Sequence, residues 1–169
     1  MTLRANTAAD RPPATPAQLQ AIDESIAELQ NEPGATLPIL HAIQARLGFV
    51  PAEAVAKIAA ALNLSRADVH GVLTYYHDFR QAPPGRHVLK LCRAEACQAM
   101  GCERLVDRLA AEHGVGMRET TADGGLTVEP VYCLGNCALS PAALLDDRLI
   151  GRLTAERLDA LVRATGGRS

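Results

Sequence analysis

Four of the five cysteines in this 169-residue chain stand in two short segments, Cys92-x4-Cys97 in "CRAEAC" and Cys133-x3-Cys137 in "CLGNC". Cysteine is among the most buried residue types and often serves as a small hydrophobe. The surroundings point instead to two loops converging on something shared. Cys92 falls where a predicted strand ends, Cys97 lies near a helix start, and Cys133 and Cys137 bracket Leu134-Gly135-Asn136. Strand ends and turns allow the backbone to aim several side chains at one centre.

The spacing admits two kinds of centre. Structural zinc takes cysteine pairs separated by two to four residues, although no C-x2-C knuckle occurs here. A [2Fe–2S] cluster takes four thiolates, tolerates uneven spacing, and uses C-x4-C in one class of ferredoxin. Its formal charge is about −2, so nearby donors must offset it. Gly135 permits a tight turn that directs backbone N–H groups at sulfur. Arg93 is either a charge that stabilises the reduced group or a solvated surface residue. Cys102 also follows Cys97 with four residues between. On one continuous helix the two would lie about 140° apart, so Cys102 is assigned to core packing and Cys92 to the site.

No stretch approaches the roughly 20 apolar residues of a membrane span, and "MTLRANTAADRPPATP" lacks the apolar segment of a secretory signal. A cytoplasmic location is expected, where thiols stay reduced unless they bind metal or do redox work. The net charge of −2, with 15 Arg and 2 Lys scattered among acids, argues against nucleic acid as a partner. With no Trp and two Phe, the core must be aliphatic.

Residues 1–15 are expected to be a flexible tail, 16–82 a helical domain, and 86–169 the cysteine-bearing domain. Thr15-Pro16 opens the first helix, and "NEPG" closes it. Further helices are predicted over Leu37–Leu47, over Pro51–Leu62 and after Ser65, where Asp68 is a short reach for a reciprocal capping bond. Tyr75, Tyr76, His77 and Phe79 end this region and either join the two halves or face a partner, while His41 lies near an apolar helix face. Beyond Pro83-Pro84-Gly85, "HVLKLC" reads as a strand and "CQAMGCERLVDRLAAEHG" as one helix. "GMRET", "GLTVEP" and "AALLDD" read as strands, and "LTAERLDALVRA" as a closing helix capped by Thr154. No nucleophile, catalytic base or Gly-rich nucleotide fingerprint stands out; "GVGMRETTADGG" reads as a loop and turn.

"VYCLGNCALSPA", "LPILHAIQARLGFVP", "VHGVLTYYHDF", "PPG" and "ETTADG" together resemble the thioredoxin-like [2Fe–2S] subunits of NADH-linked complexes, represented by the 24 kDa subunit of respiratory complex I. The resemblance covers about residues 16 to 165. It implies an α+β chain, a four-helix region followed by a thioredoxin-like α/β ferredoxin domain, with Cys92, Cys97, Cys133 and Cys137 as the iron ligands and Cys102 spare. It also implies one-electron transfer with a partner subunit that carries FMN and binds NADH, no substrate turnover by this chain alone, and no membrane insertion. "LCRAEACQAMGC" is most similar to the gamma subunit of soluble NAD-dependent formate dehydrogenases. That assembly would add a larger subunit bearing metal and iron–sulfur centres; complex I and NAD-linked hydrogenases are the alternatives. A structural zinc-binding interaction protein is the alternative of another class.

Overall fold

A computed structural model describes residues 13–166. The expected tail therefore lies mostly outside the described residues; at its end Ala14 N–H donates to Glu53 Oε1 at 2.8 Å. The chain divides into two compact units between Pro83 and Pro84.

The first unit is four helices, α1 (Pro16–Leu29), α2 (Thr36–Leu47), α3 (Ala52–Leu62) and α4 (Arg66–Tyr75). Each is short and gains its stability from burying one apolar stripe against the others. Ile22, Ile39, Leu40, Ile43, Ile58 and Val69 are fully buried in the shared core, with Phe79 as its aromatic member. Thr15 caps α1 through the N–H of Gln18, whose side chain returns a bond to the Thr15 N–H. The short reach of Asp68 does not prevent the reciprocal bond at α4. Ser65 N–H donates to Asp68 Oδ2 at 3.1 Å, and Asp68 N–H to Ser65 Oγ at 3.1 Å. The Asp side chain suffices because its carboxylate also takes the Ser65 hydroxyl. After α4, Gln44 holds the chain at both ends of a short stretch, donating to Asp78 O and accepting from Arg80 N–H. This leaves Phe79 inside and Tyr75 74% exposed. His41 is exposed at the edge, its ring 4.8 Å from that of Phe79.

The second unit is a five-stranded sheet in the order β2-β3-β1-β4-β5, built from β1 (His87–Cys92), β2 (Glu119–Thr120), β3 (Leu126–Val131), β4 (Ala143–Leu145) and β5 (Arg148–Ile150). The architecture is thus α+β, with an all-helical region followed by a mixed α/β one. β1 pairs in parallel with β3 and antiparallel with β4. A parallel pair needs a long crossover, and α5 (Glu95–Ala99) and α6 (Cys102–His113) lie within it. The single helix expected over this stretch is broken, because Gly101 adopts φ 84°, outside the right-handed helical region. β5 is an addition to the expected strands: with three residues it carries too little alternation to read, and Asp146 at φ 52° turns the chain into it.

Helix α7 (Ala155–Ala164), capped by Thr154, buries Leu158 and Val162 with Leu105 and Leu109 of α6 and Leu89, Leu91, Leu126 and Val128 of the sheet. The two helices are also joined by charge. Asp159 accepts both guanidinium bonds of Arg108, at 2.9 and 2.7 Å, and meets His113 Nε2 at 2.8 Å. The Arg108 bonds first, then the His113 bond, hold the Asp159 carboxyl far below the usual carboxylate range against the opposing effect of burial. A carboxyl with a depressed folded-state value contributes stability that is fully present above its unfolded value, near 3.9, and is lost as pH falls from there toward the folded value. Asp159→Asn is expected to cost roughly 1–3 kcal/mol at pH 7 and to flatten the loss of stability below about pH 4, as read by denaturant melts across pH.

Candidate functional site

The register of the parallel pair builds the site. Cys92 ends β1 opposite Val131, and Arg93 N–H donates to Val131 O at 2.8 Å. β3 therefore delivers Cys133 two residues past the partner of Cys92. On the other side of β1, Cys92 N–H donates to Ala142 O at 3.0 Å, so the segment leaving Cys137 returns beside the same strand end. Cys97 reaches the site from α5, with its thiol 3.5 Å from Ser140 Oγ. Ser140 in turn donates to Cys137 O at 2.8 Å, linking the first cysteine segment to the second.

The Cys133 and Cys137 sulfurs are 3.8 Å apart. A tetrahedral metal with thiolate bonds of about 2.3 Å sets its sulfurs roughly 3.8 Å apart, so these two are spaced as ligands of one ion. Among the described residues, no group of three or more His, Cys, Asp or Glu side chains is gathered closely enough to hold an ion. Gly135, at φ 72°, turns its N–H onto Cys133 Sγ at 3.4 Å, as expected of a backbone donor to a charged sulfur. Cys133 itself has φ 100°, a left-handed conformation uncommon outside glycine. The thiol of Cys137 is pushed up by its bond to Cys133, then by the charge of Cys133, with lesser contributions from Cys97 and Cys92. Thiolates brought this close repel one another, and a cationic centre is what relieves the repulsion.

The two segments differ in exposure. Cys92 and Cys97 are 2% exposed, whereas Cys133 and Cys137 open to solvent. Cys102 is fully buried beside Cys92, Cys97 and Ala142. The helical-wheel reason for setting it apart does not hold, since Cys97 and Cys102 lie on different helices. Its packing role rests instead on burial, which pushes its thiol up to about 11, and on its donation to Glu103 Oε1 at 3.8 Å. Arg93 is not a free charge; it pairs with Glu103 through Nε at 2.9 Å and Nη2 at 2.7 Å.

A family model for thioredoxin-like [2Fe–2S] ferredoxins matches residues 22–166. The chain belongs to this family. A NADH-quinone oxidoreductase subunit of Pseudomonas aeruginosa is 33% identical over 144 residues, 85% of this chain and 87% of that protein. The corresponding subunit of Escherichia coli K12 is 31% identical over 146 residues, covering 86% and 88%. Among solved structures, a chain of an NAD+-reducing [NiFe]-hydrogenase in the air-oxidized state aligns with a TM-score of 0.63 at 31% identity. That match takes in 81% of this chain and 23% of the hydrogenase chain, so this protein is similar to one part of a longer polypeptide. The donor set of this ferredoxin-family chain, four cysteines with one pair at single-ion spacing, fits the family's cluster.

Three supporting residues carry no recognisable sequence signal. Ser140 lies inside "CALSPA" without an evident role, and Glu103 reads as an ordinary first-turn acid. Gly151 is the third: a Cβ there would meet Leu139 Cβ at 2.7 Å and Asn136 Nδ2 at 2.8 Å, both on the loop that carries Cys137. Neighbouring backbone bonds, Arg152 N–H to Leu139 O at 2.6 Å and Leu153 N–H to Pro141 O at 2.9 Å, hold that loop against the segment that follows β5. Gly151→Ala is expected to cost roughly 1–3 kcal/mol by overpacking and to reduce bound iron without altering a cysteine, as measured by thermal melts and metal analysis.

Proposed function

We propose that this chain is the electron-transfer subunit of an NAD-linked oxidoreductase, with Cys92, Cys97, Cys133 and Cys137 holding a [2Fe–2S] cluster. The observation that carries the reading is the convergence of both cysteine segments at the C-terminal ends of β1 and β3. When bound, the cluster supplies reversible one-electron transfer. The chain contributes the four sulfurs, the Gly135 N–H toward Cys133, and a wall of Ala94, Val131, Leu134 and Ala142 around the buried pair. Low-dielectric burial and the count of hydrogen bonds to sulfur are the protein's means of setting the potential.

The electron partner on this reading is a subunit that binds FMN and NADH, and neither cofactor is bound by this chain itself. Similarity to NADH-quinone oxidoreductase subunits over almost the whole chain favours a complex I-type assembly. The hydrogenase match supports an NAD-linked assembly of the same general kind. The formate dehydrogenase reading rests on "LCRAEACQAMGC" and comes second. No described helix is long and apolar enough to cross a membrane, and a cytoplasmic site of action belongs to the proposal.

Anaerobically prepared protein is expected to be brown, to contain two irons and acid-labile sulfide, and to give a rhombic EPR signal on reduction. Cys92→Ser should lose that signal, and Cys102→Ser should keep it. Zinc in place of iron, with no redox signal, would instead establish the structural-zinc alternative. Copurification with its partners, followed by electron-donor assays with NADH, hydrogen and formate, separates the three assemblies.

A further inference from the structure

Arg93 directly follows Cys92 and is tied to both sides of the site. Its backbone N–H bonds Val131 O of β3, and its carbonyl accepts from Gln98 Nε2 of α5 at 2.9 Å. Its guanidinium is closed in a two-point fork on Glu103, whose Oε1 also receives the Cys102 thiol. Cys102 packs against Cys92 and Cys97, so this carboxylate is one side chain removed from the buried half of the site. A lone guanidinium here would favour the extra negative charge of a reduced cluster, and a lone carboxylate would oppose it, since net charge is one determinant of cluster potential. Fork geometry holds both charges at a fixed distance from the sulfurs instead of leaving them to wander in solvent.

We infer that the Arg93–Glu103 pair is a positioning device for the reduction potential, Glu103 cancelling a positive charge that the sequence places next to Cys92. The inference rests on the proposed [2Fe–2S] reading. Neither side chain is fully buried, at 30% and 45% exposure, so solvent and salt temper the effect.

The test is an EPR-monitored redox titration of the full chain, anaerobically loaded with iron and sulfide, at low and high salt. Glu103→Gln is expected to raise the reduced-to-oxidised ratio at a fixed applied potential by up to about tenfold, an upward shift of up to about 59 mV for one electron. Arg93→Gln is expected to shift it the opposite way. The double variant should return to within about twofold of the unaltered chain, Arg93→Lys should stay equally close, and the single shifts should shrink in high salt. Single variants that move the potential in the same direction, or by less than about twofold at normal iron content, overturn the inference. So does loss of iron from every variant, Arg93→Lys included, which makes the pair a structural support. An unaltered chain that takes up no iron sinks the parent reading and this one together, whereas iron-loaded variants with unchanged potentials sink this one alone.

Discussion

Parallel pairing of β1 with β3, in the register that sets Cys92 beside Val131, is the constraint on which the remaining site geometry depends. The two cysteine segments are far apart in sequence and have no local reason to meet. Register alone decides where Cys133 emerges, and a slip of one residue would turn every side chain of β3 to the opposite face. That slip is opposed by Leu126 and Val128, buried against Leu89 and Leu91 in the same core. The hydrophobic interior thus fixes the position of polar, reactive atoms at its edge.

The same sheet explains why the buried and exposed halves of the site differ. Cys92 belongs to a central strand bonded on both sides, to Val131 through the next residue and to Ala142 directly, so its sulfur is enclosed. Cys133 and Cys137 lie in the connection from β3 to β4, beyond the end of the sheet, with Tyr132 68% exposed alongside. On the proposed reading, one edge of the cluster is insulated while the other is open to an electron partner.

Legibility in the sequence follows the length and regularity of each element. Helices α1 to α4 are readable because their apolar residues recur at helical spacing and Thr15 and Ser65 mark two of the starts. β1 and β3 are readable as short strands because apolar residues (Val88, Leu89 and Leu91; Leu126 and Val128) recur in six-residue runs that lead into the cysteine segments. The failures come where one backbone angle overrides a pattern: Gly101 splits an apparently continuous helix, and Asp146 opens the hairpin to a strand too short for alternation to register. The four candidate cysteines stand out by spacing and resemblance, but the contacts around them do not. Gly151 acts through close approach to a loop distant in sequence, and Glu103 through an ion pair formed across the strand–helix connection.

The expectation that Cys102 packs in the core and takes no part in the site loses its geometric reason in the structure. A helical wheel would exclude it by angle, yet Gly101 removes the shared helix, and the thiol packs directly with Cys92 and Cys97. Proximity therefore does not distinguish Cys102 from its neighbours; chemistry does. Burial is shared by Cys92, Cys97 and Cys102, so what is particular to Cys102 is Glu103, which already holds Arg93, accepts from its thiol and repels a negative sulfur. A thiolate is what metal binding requires. On the proposed reading, the carboxylate that pairs with Arg93 is the same group that favours the protonated form of the fifth sulfur, so identical atoms serve ligand selection and local electrostatics.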